Sequence, residues 1–439
     1  MHLVANLADL MLSLWRGTTK CDRTDDKNTW DWAIFRDTDL WDEHGSLVAL
    51  AGHHLPGSFD RKPRNIAEKI NTQYKMWEYQ LYMYGLAPAL LYNVLPRKYW
   101  QNLCKLVRGM QLMCQHSITS QQIQEAYLLL CSWEREFEEL YYQRREDRLH
   151  FVRPCAHQVP HLPDETLRKG PPICYAQWTM ERTIGNLGQE IRQPSNPYNN
   201  FLQEGVRRCQ INALLASMPE LAGPPKLPSE SALAEDLGEG YALLRKRQKR
   251  PSNPIGPEAA AIHTFLGPAQ GLAHPIQKWA RVQLPNGQIA RCAWRETMIP
   301  LEKLLVSRNV KFLLDGSITF GEVQYFTRLS VPAPQLGQNR REWIGIAIIR
   351  PYSKPDHDLL VLSSQVVASC KRLEELVVVS IKDIRSVVGM VPHTPTLPSG
   401  LSEDRFFIIE KPGLDVSDLG VPYPGYDDYD VDGGDDDLE

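Results

Sequence analysis

The stretch from Thr179 to Arg192, TMERTIGNLGQEIR, combines residue types in a way an ordinary helix does not. Met180, Ile184, Leu187 and Ile191 recur at helical spacing and make an apolar stripe. Glu181, Gly185, Gly188 and Arg192 make a neighbouring one. Two glycines inside a helix cost roughly 1 kcal/mol each relative to alanine. The close approach of a phosphate or of another backbone would offset that cost. Arg182 and Arg192 could then contact such a phosphate. The alternative is tight helix–helix packing, with Glu181 merely favouring the helix N-terminus.

A second group, Cys155, His157 and His161, invites a zinc hypothesis, because histidines at i and i+4 share a helix face. No fourth ligand stands at a recognisable spacing, so structural histidines are the expectation. A third group is the basic run Arg245, Lys246, Arg247, Gln248, Lys249, Arg250. It reads as a nuclear import signal or a phosphate-binding arm, and equally as an ordinary basic linker. The aspartates at 22, 25, 26, 31, 37 and 39 lack the alternation and central glycine of an EF-hand loop. They are expected to be caps, turns and solvated charges. The tryptophans at 15, 30, 32, 41, 77, 100, 133 and 178 sit mostly at apolar positions, where core packing is expected.

The elements that must position these groups fall into two textures. Leu3, Leu7, Leu10, Met11 and Leu14 predict a helix over 3–16. Further helices are expected at 66–92, with Pro88 as a kink, and at 96–115 and 119–146, with Pro96 and Thr119 as start signals. The charged side of the last one reads as a solvated face. More helices are expected at 156–168, 179–191 and 198–216, with ICYAQW as a short extended piece between the first two. Residues 221–262 read as a proline-rich basic linker. Asn286-Gly287 and Asp315-Gly316 mark two hairpins. EWIGIAIIR, DLLVLSS, LVVVSI, SVVGMV and RFFIIE then read as strands of a small β-barrel or sandwich over 263–415. The expected class is therefore α+β: helical over 1–220, then a small β-barrel-like domain. A disordered acidic tail is expected over 416–439.

Bulk properties narrow the function classes. The 439 residues allow two or three domains, and 43% hydrophobic content suits a packed core. The formal net charge of -4 conceals an asymmetry, since Asp427 to Glu439 carries eight acidic residues and no basic one. The remaining body is net positive, so the global figure does not argue against DNA. Nine cysteines without a CxxC pair speak against a disulfide framework and for a reducing compartment. No apolar run of about 18 residues predicts a membrane span. The apolar start lacks the basic region and cleavage site of a signal peptide. It reads as a buried helix that begins without a capping segment, so an upstream portion is expected to be missing.

The blocks LADLMLSLWRGTTKCD, TWDWAIF, LPGSFDRKPRNIAEKIN, LHFVRPCAHQVPHL and GPPICYAQWTMERTIGNLGQEIRQPSNP resemble fungal CACTA-like transposases, of the Plavaka or Kyakuja-Dileera-Zisupton kind. WARVQLPNGQIARCAW, FGEVQYF and EKPGLDV resemble the C-terminal module of the same proteins. The order His157, His161, Gly170-Pro171, Trp178, Glu181-Arg182 is similar to that in plant CACTA transposases.

The resemblance implies the C-terminal part of an RNase H-like nuclease that cleaves and transfers DNA strands with Mg²⁺ or Mn²⁺. Such enzymes hold their metals on two aspartates and a late acidic residue. It implies that Glu181 is the late carboxylate and metal ligand, and that both early aspartates lie upstream of Met1-His2. One carboxylate cannot assemble a two-metal site, so no strand cleavage and no tightly bound metal are expected of this chain. Arg182, Arg192, Arg245, Lys246, Arg247, Lys249 and Arg250 are the expected DNA contacts. Transposon-end DNA is the expected partner and the nucleus the expected location. Self-association or a chromatin protein could engage the β domain. The alternative is a non-enzymatic DNA- or chromatin-binding protein derived from a transposon.

Overall fold

Leucine and methionine at helical spacing bury one side of the first helix, α1 (His2–Trp15), with Leu10, Met11, Leu14 and Trp15 all out of solvent. A computed structural model describes residues 2–59, 61–72, 74–191, 195–222, 234–267, 275–332 and 341–421. After α1 the principal helices are α2 (Thr38–Ala51), α3 (Arg97–Met113), α4 (Ser120–Phe137), α5 (Pro154–Gln158), α6 (Leu162–Lys169), α7 (Trp178–Glu190) and α8 (Pro197–Ser217). Thr119 caps α4 by accepting the Gln122 N–H, and Gln122 returns the bond to the Thr119 N–H, a reciprocal capping box. Pro96 stands at the N-cap of α3. The helix expected over 66–92 stops after Lys69 and resumes over 76–90, where a π-helical turn at 82–86 joins the pieces 76–81 and 87–90. ICYAQW is not extended, since Pro172–Tyr175 form a helical turn.

The aromatic-rich excursion between α1 and α2 is core. Trp32 is fully buried, stacked on Trp30 at 5.4 Å and met edge-on by Tyr99 and Tyr141. Two of the neighbouring aspartates act as caps: Asp26 accepts the Asn28 N–H, and Asp37 accepts those of Asp39 and Leu40. Asp25 corrects the expectation of solvated charges. It is buried and takes bonds from Arg148 Nη2 at 2.6 Å, Arg148 Nε at 2.8 Å and Trp30 Nε1 at 3.1 Å. Burial would raise its pKa, but the bonds from Arg148 and Trp30 outweigh that and hold it below the usual value.

Among the described residues twelve strands follow: β1 (Glu235–Gly238), β2 (Tyr241–Arg247), β3 (Trp279–Gln283), β4 (Ile289–Arg291), β5 (Asn309–Leu314), β6 (Ser317–Pro332), β7 (Arg341–Pro351), β8 (Ser369–Cys370), β9 (Val377–Ser380), β10 (Ile384–Val387), β11 (Gly389–His393) and β12 (Arg405–Ile409). Helix α9 (Pro257–Leu266) lies between β2 and β3, and helix α10 (His357–Leu362) between β7 and β8. The architecture is α+β, with helices first and antiparallel sheet after. Nine strands form one sheet, along β1-β2-β3-β6-β5-β10 with β4 on β3, β7 on β6 and β9 on β7. β11, β12 and β8 form a second sheet. Both expected hairpins are present: β3–β4 around Gly287 (φ +80) and β5–β6 around Asp315 and Gly316 (φ +51 and +78). Positive φ at both Asp315 and Gly316 is the type I′ geometry, whose twist matches that of the flanking strands in a two-residue hairpin.

Three expectations need correction. Among the described residues neither sheet closes into a barrel. Past β10 the chain turns away, and β11 pairs with β12 rather than completing a ring, because Val391, Phe407 and Ile409 find apolar cover among the helices. The segment 221–262, read as a linker, holds β1, β2 and most of α9, so the sheet begins well before 263. DLLVLSS is not a strand: Asp356 accepts the Leu359 N–H and starts α10. The expected acidic tail lies outside the described residues from 422 onward.

The helical core reaches past residue 220, while a second buried cluster, with Leu243, Val282, Phe312 and Ile348, lies wholly within the sheet. One buried cluster runs from α1 through α2, α3 and α4 and takes in Val391, Leu397, Phe407 and Ile409 of the β-rich part. Polar bonds cross the same boundary. Gln288 Nε2 donates to Ser58 Oγ at 3.0 Å, Gln115 Oε1 accepts the Val416 N–H at 2.7 Å, and Asn93 Nδ2 donates to the Thr396 carbonyl at 3.1 Å.

Candidate functional site

Helix α7 is reached through Gly170, whose φ of +80 ends α6, and through the rigid pair Pro171-Pro172. Glu181 sits in its first turn, with its N–H bonded to the Gln177 carbonyl, and its side chain is exposed. Arg182 is exposed beside it. Gly185 and Gly188 face open space, since a Cβ built at either meets nothing within 4 Å. The tight helix packing that could have explained these glycines is therefore not seen among the described residues. Leu187 is the buried residue of α7, while Met180 and Ile184 stay about half exposed. The following helix α8 buries no residue, and it is tied to α7 by an Arg208–Glu190 ion pair.

Beneath the start of α7 lies an apolar cleft of about 410 Å³. The start of α1 (Leu3, Val4), Leu162 of α6 and Ile173, Tyr175 and Trp178 ahead of α7 line it. It joins the root of the Glu181 helix to the beginning of the chain.

The donors needed for a divalent nuclease metal do not gather here. Among the described residues no group of three or more His, Cys, Asp or Glu side chains could hold a metal ion. Mg²⁺ requires near-octahedral oxygen coordination, and the lone Glu181 carboxylate does not supply it. Arg192 lies outside the described residues.

The basic run stands elsewhere, on β2 and the bend after it. Arg245, Lys246 and Arg247 belong to the strand, and Lys249 and Arg250 follow. Arg247 is exposed, with its guanidinium 5.4 Å from the ring centre of Trp279 on β3. Lys249 and Arg250 are exposed as well. The pattern expected as a loose arm is thus a basic strand end held in a sheet.

The trio Cys155, His157 and His161 does not converge as a ligand set. Cys155 is buried with Ala156 and Val159, and burial pushes its thiol pKa up. The two histidines lie on the solvent side of the same turn, with His157 bonded to Glu134 of α4 at 3.1 Å. Nothing in the spacing along the chain pointed to Glu134.

Sequence reasoning also passed over Ser369, His393 and Arg405. Ser369 Oγ lies 2.8 Å from His393 Nε2, the spacing of a nucleophile and its base. Ser369 is fully buried, however, and Arg405 Nε donates to the same oxygen at 3.1 Å. Burial and the Arg405 charge lower the His393 pKa to about 4. A cation on the hydroxyl and a weak base beside it make this a structural network that ties β8 to β11 and β12.

No family model matches the chain, and no curated protein and no solved structure is detectably similar to it.

Proposed function

We propose that this chain is a transposase-derived DNA-binding protein that does not cleave strands by itself. In this reading α7 descends from the late helix of an RNase H-like nuclease, as the resemblance to CACTA-like transposases implies, and Glu181 is its late carboxylate. The carrying observation is the geometry of α7: an exposed Glu181 and Arg182 beside two glycines that leave the helix backbone open to an approaching ligand. A phosphate group fits such a face, because Arg182 lies three residues before Gly185 and so flanks the opening. The exposed cations Arg247, Lys249 and Arg250 supply a second basic patch. Cleavage is not expected, because a metal held by one carboxylate is neither fixed in place nor paired with a second ion to stabilise both oxygens of an in-line displacement.

The test uses the full chain and a labelled duplex of arbitrary sequence, followed by anisotropy over a salt series. Binding should weaken steeply with salt, and Arg182→Ala should reduce the slope of log K against log salt by about one. Supercoiled plasmid with Mg²⁺ or Mn²⁺ should remain intact. Absence of binding at low salt overturns the DNA-binding part. Metal-dependent nicking that Glu181→Ala abolishes overturns the non-cleaving part.

A further inference from the structure

Helix α8 has 21 residues and is about 31 Å long, and among the described residues none of its side chains is buried. A helix in a protein draws most of its stability from packing an apolar face. Yet Tyr198 is 89% exposed, Leu202 63% and Val206 47%. Single apolar residues on a surface are ordinary, but these belong to a series. Cys209, Ala213 and Ala216 are exposed as well, and the six recur at steps of three and four residues. They therefore form one stripe from the first turn of the helix to the last. Arg208, paired with Glu190 of α7, lies off the stripe, and so do Glu204 and Arg207, which pair with each other. The contact with α7 thus leaves the stripe uncovered and free of charge.

The side chains along the stripe are ordered by size. Tyr198, Leu202 and Val206 fill its N-terminal half, and Cys209, Ala213 and Ala216 fill its C-terminal half. Two such helices laid antiparallel, with a twofold axis level with Arg207 at the middle of the helix, set every large residue against a small one. Tyr198 faces Ala216 of the second copy, Leu202 faces Ala213 and Val206 faces Cys209. A parallel pair would set Tyr198 against Tyr198 and Ala216 against Ala216, crowded at one end and hollow at the other, which close packing does not tolerate. Gly205 lies beside the axis, and a Cβ built there meets nothing within 4 Å, so the two backbones can approach closely.

We propose that two copies of this chain associate through an antiparallel pairing of α8 along this stripe. The occupant is a second copy because the stripe is complementary in volume to itself, as a twofold contact requires. Covering it removes on the order of 600 Å² from each chain, the lower limit of a stable specific interface. A reversible dimer with a dissociation constant in the micromolar range is therefore expected. The pairing leaves Glu181 and Arg182 of α7 outside the contact and does not rest on the proposed DNA binding.

Sedimentation velocity of the full chain, over a concentration series that spans the micromolar range, tests this. The wild type should pass from monomer to dimer along the series. Leu202→Glu should weaken the dimer about a hundredfold or more, because twofold symmetry places two carboxylates in one interface. Its far-UV circular dichroism should match the wild type, since Leu202 is exposed in the single chain. Ala213→Leu sets leucine against leucine and should weaken the dimer as well. The exchange Leu202→Ala/Ala213→Leu should restore it, because each contact again joins one large side chain to one small one. A wild type that stays monomeric throughout overturns the dimer. A dimer that Leu202→Glu leaves intact overturns the assigned surface, and no recovery in the exchanged variant overturns the antiparallel register.

Discussion

Replacing Gly185 and Gly188 by alanine separates the two explanations for glycine in α7. Neither added methyl group meets an atom within 4 Å, so the substitution carries no steric penalty in the free protein. Each change should stabilise the helix by roughly 1 kcal/mol, chiefly by restricting the unfolded chain. The pair together should contribute about 2 kcal/mol, close to a thirtyfold smaller population of the opened helix. The global melt is a poor reporter, because among the described side chains of α7 only Leu187 is buried, and α8 buries nothing. Hydrogen exchange resolved to peptides spanning 178–190 reads the helix itself.

A second readout decides what the glycines are for. If the open backbone face receives phosphate, two methyl groups placed on it should weaken duplex binding several-fold while the helix grows more protected. Opposite signs in the two assays are the signature. Faster exchange in the variant would refute the reasoning, since it would mean that some surface covers Gly185 and Gly188 in solution. Unchanged DNA affinity would refute the phosphate explanation alone. Gly45 supplies the control: a Cβ there falls 2.9 Å from the Ala67 nitrogen and 2.6 Å from its Cβ, so the same substitution should destabilise by about 1–3 kcal/mol.

Three further outcomes follow from the fold. Arg148→Met leaves the buried Asp25 carboxylate with only the part-exposed Arg145 guanidinium, 3.4 Å away, and should cost up to about 3–5 kcal/mol in a urea melt, part of which Asp25→Asn in the same chain should restore. Burial pushes the His44 pKa down to about 4 from its ordinary 6.5, so the unfolded chain takes up a proton between those values and the folded one does not. Stability is then full above pH 6.5 and falls as the pH drops toward 4, by about 3 kcal/mol for this group; His44→Gln should reduce the pH dependence of the denaturant midpoint over that window, leaving the share of His54 and His393, whose pKa values are also lowered to about 4. A fragment ending at residue 222 removes Val391, Phe407 and Ile409 from the shared core, so it should bind a hydrophobic dye and lose its sharp melt, whereas a cooperative melt like that of the full chain would show that the helical part closes its own core.

The features readable along the chain are those in which one short segment carries its own signal. Thr119 with Gln122, Asn286-Gly287 and Asp315-Gly316 each encode a cap or a turn within four residues, and each is present in the structure. The helix expected at 179–191 forms at 178–190 for the same reason. Where local signals compete, the reading failed. The run Leu359–Leu362 is too short for periodicity to separate strand from helix, and the Asp356 cap decides it. β1 and β2 were hidden by the prolines and serines around them, although Gly238 and Gly240, both with positive φ, mark the turn between them. Features that join distant segments were not readable at all. Asp25 meets Arg148 across 123 positions, and Glu134 meets His157 across 23. The same limit applies to the candidate sites. The glycine pattern of α7 was visible, but its two explanations could not be told apart until the space around the backbone was known. The two histidines were visible, but Cys155 was the natural third ligand on paper, and the turn points it into the core while the imidazoles point out. A site is a statement about which side chains share a volume, and in this protein that is decided by what the turn at 154–161 and the helix at 178–190 pack against.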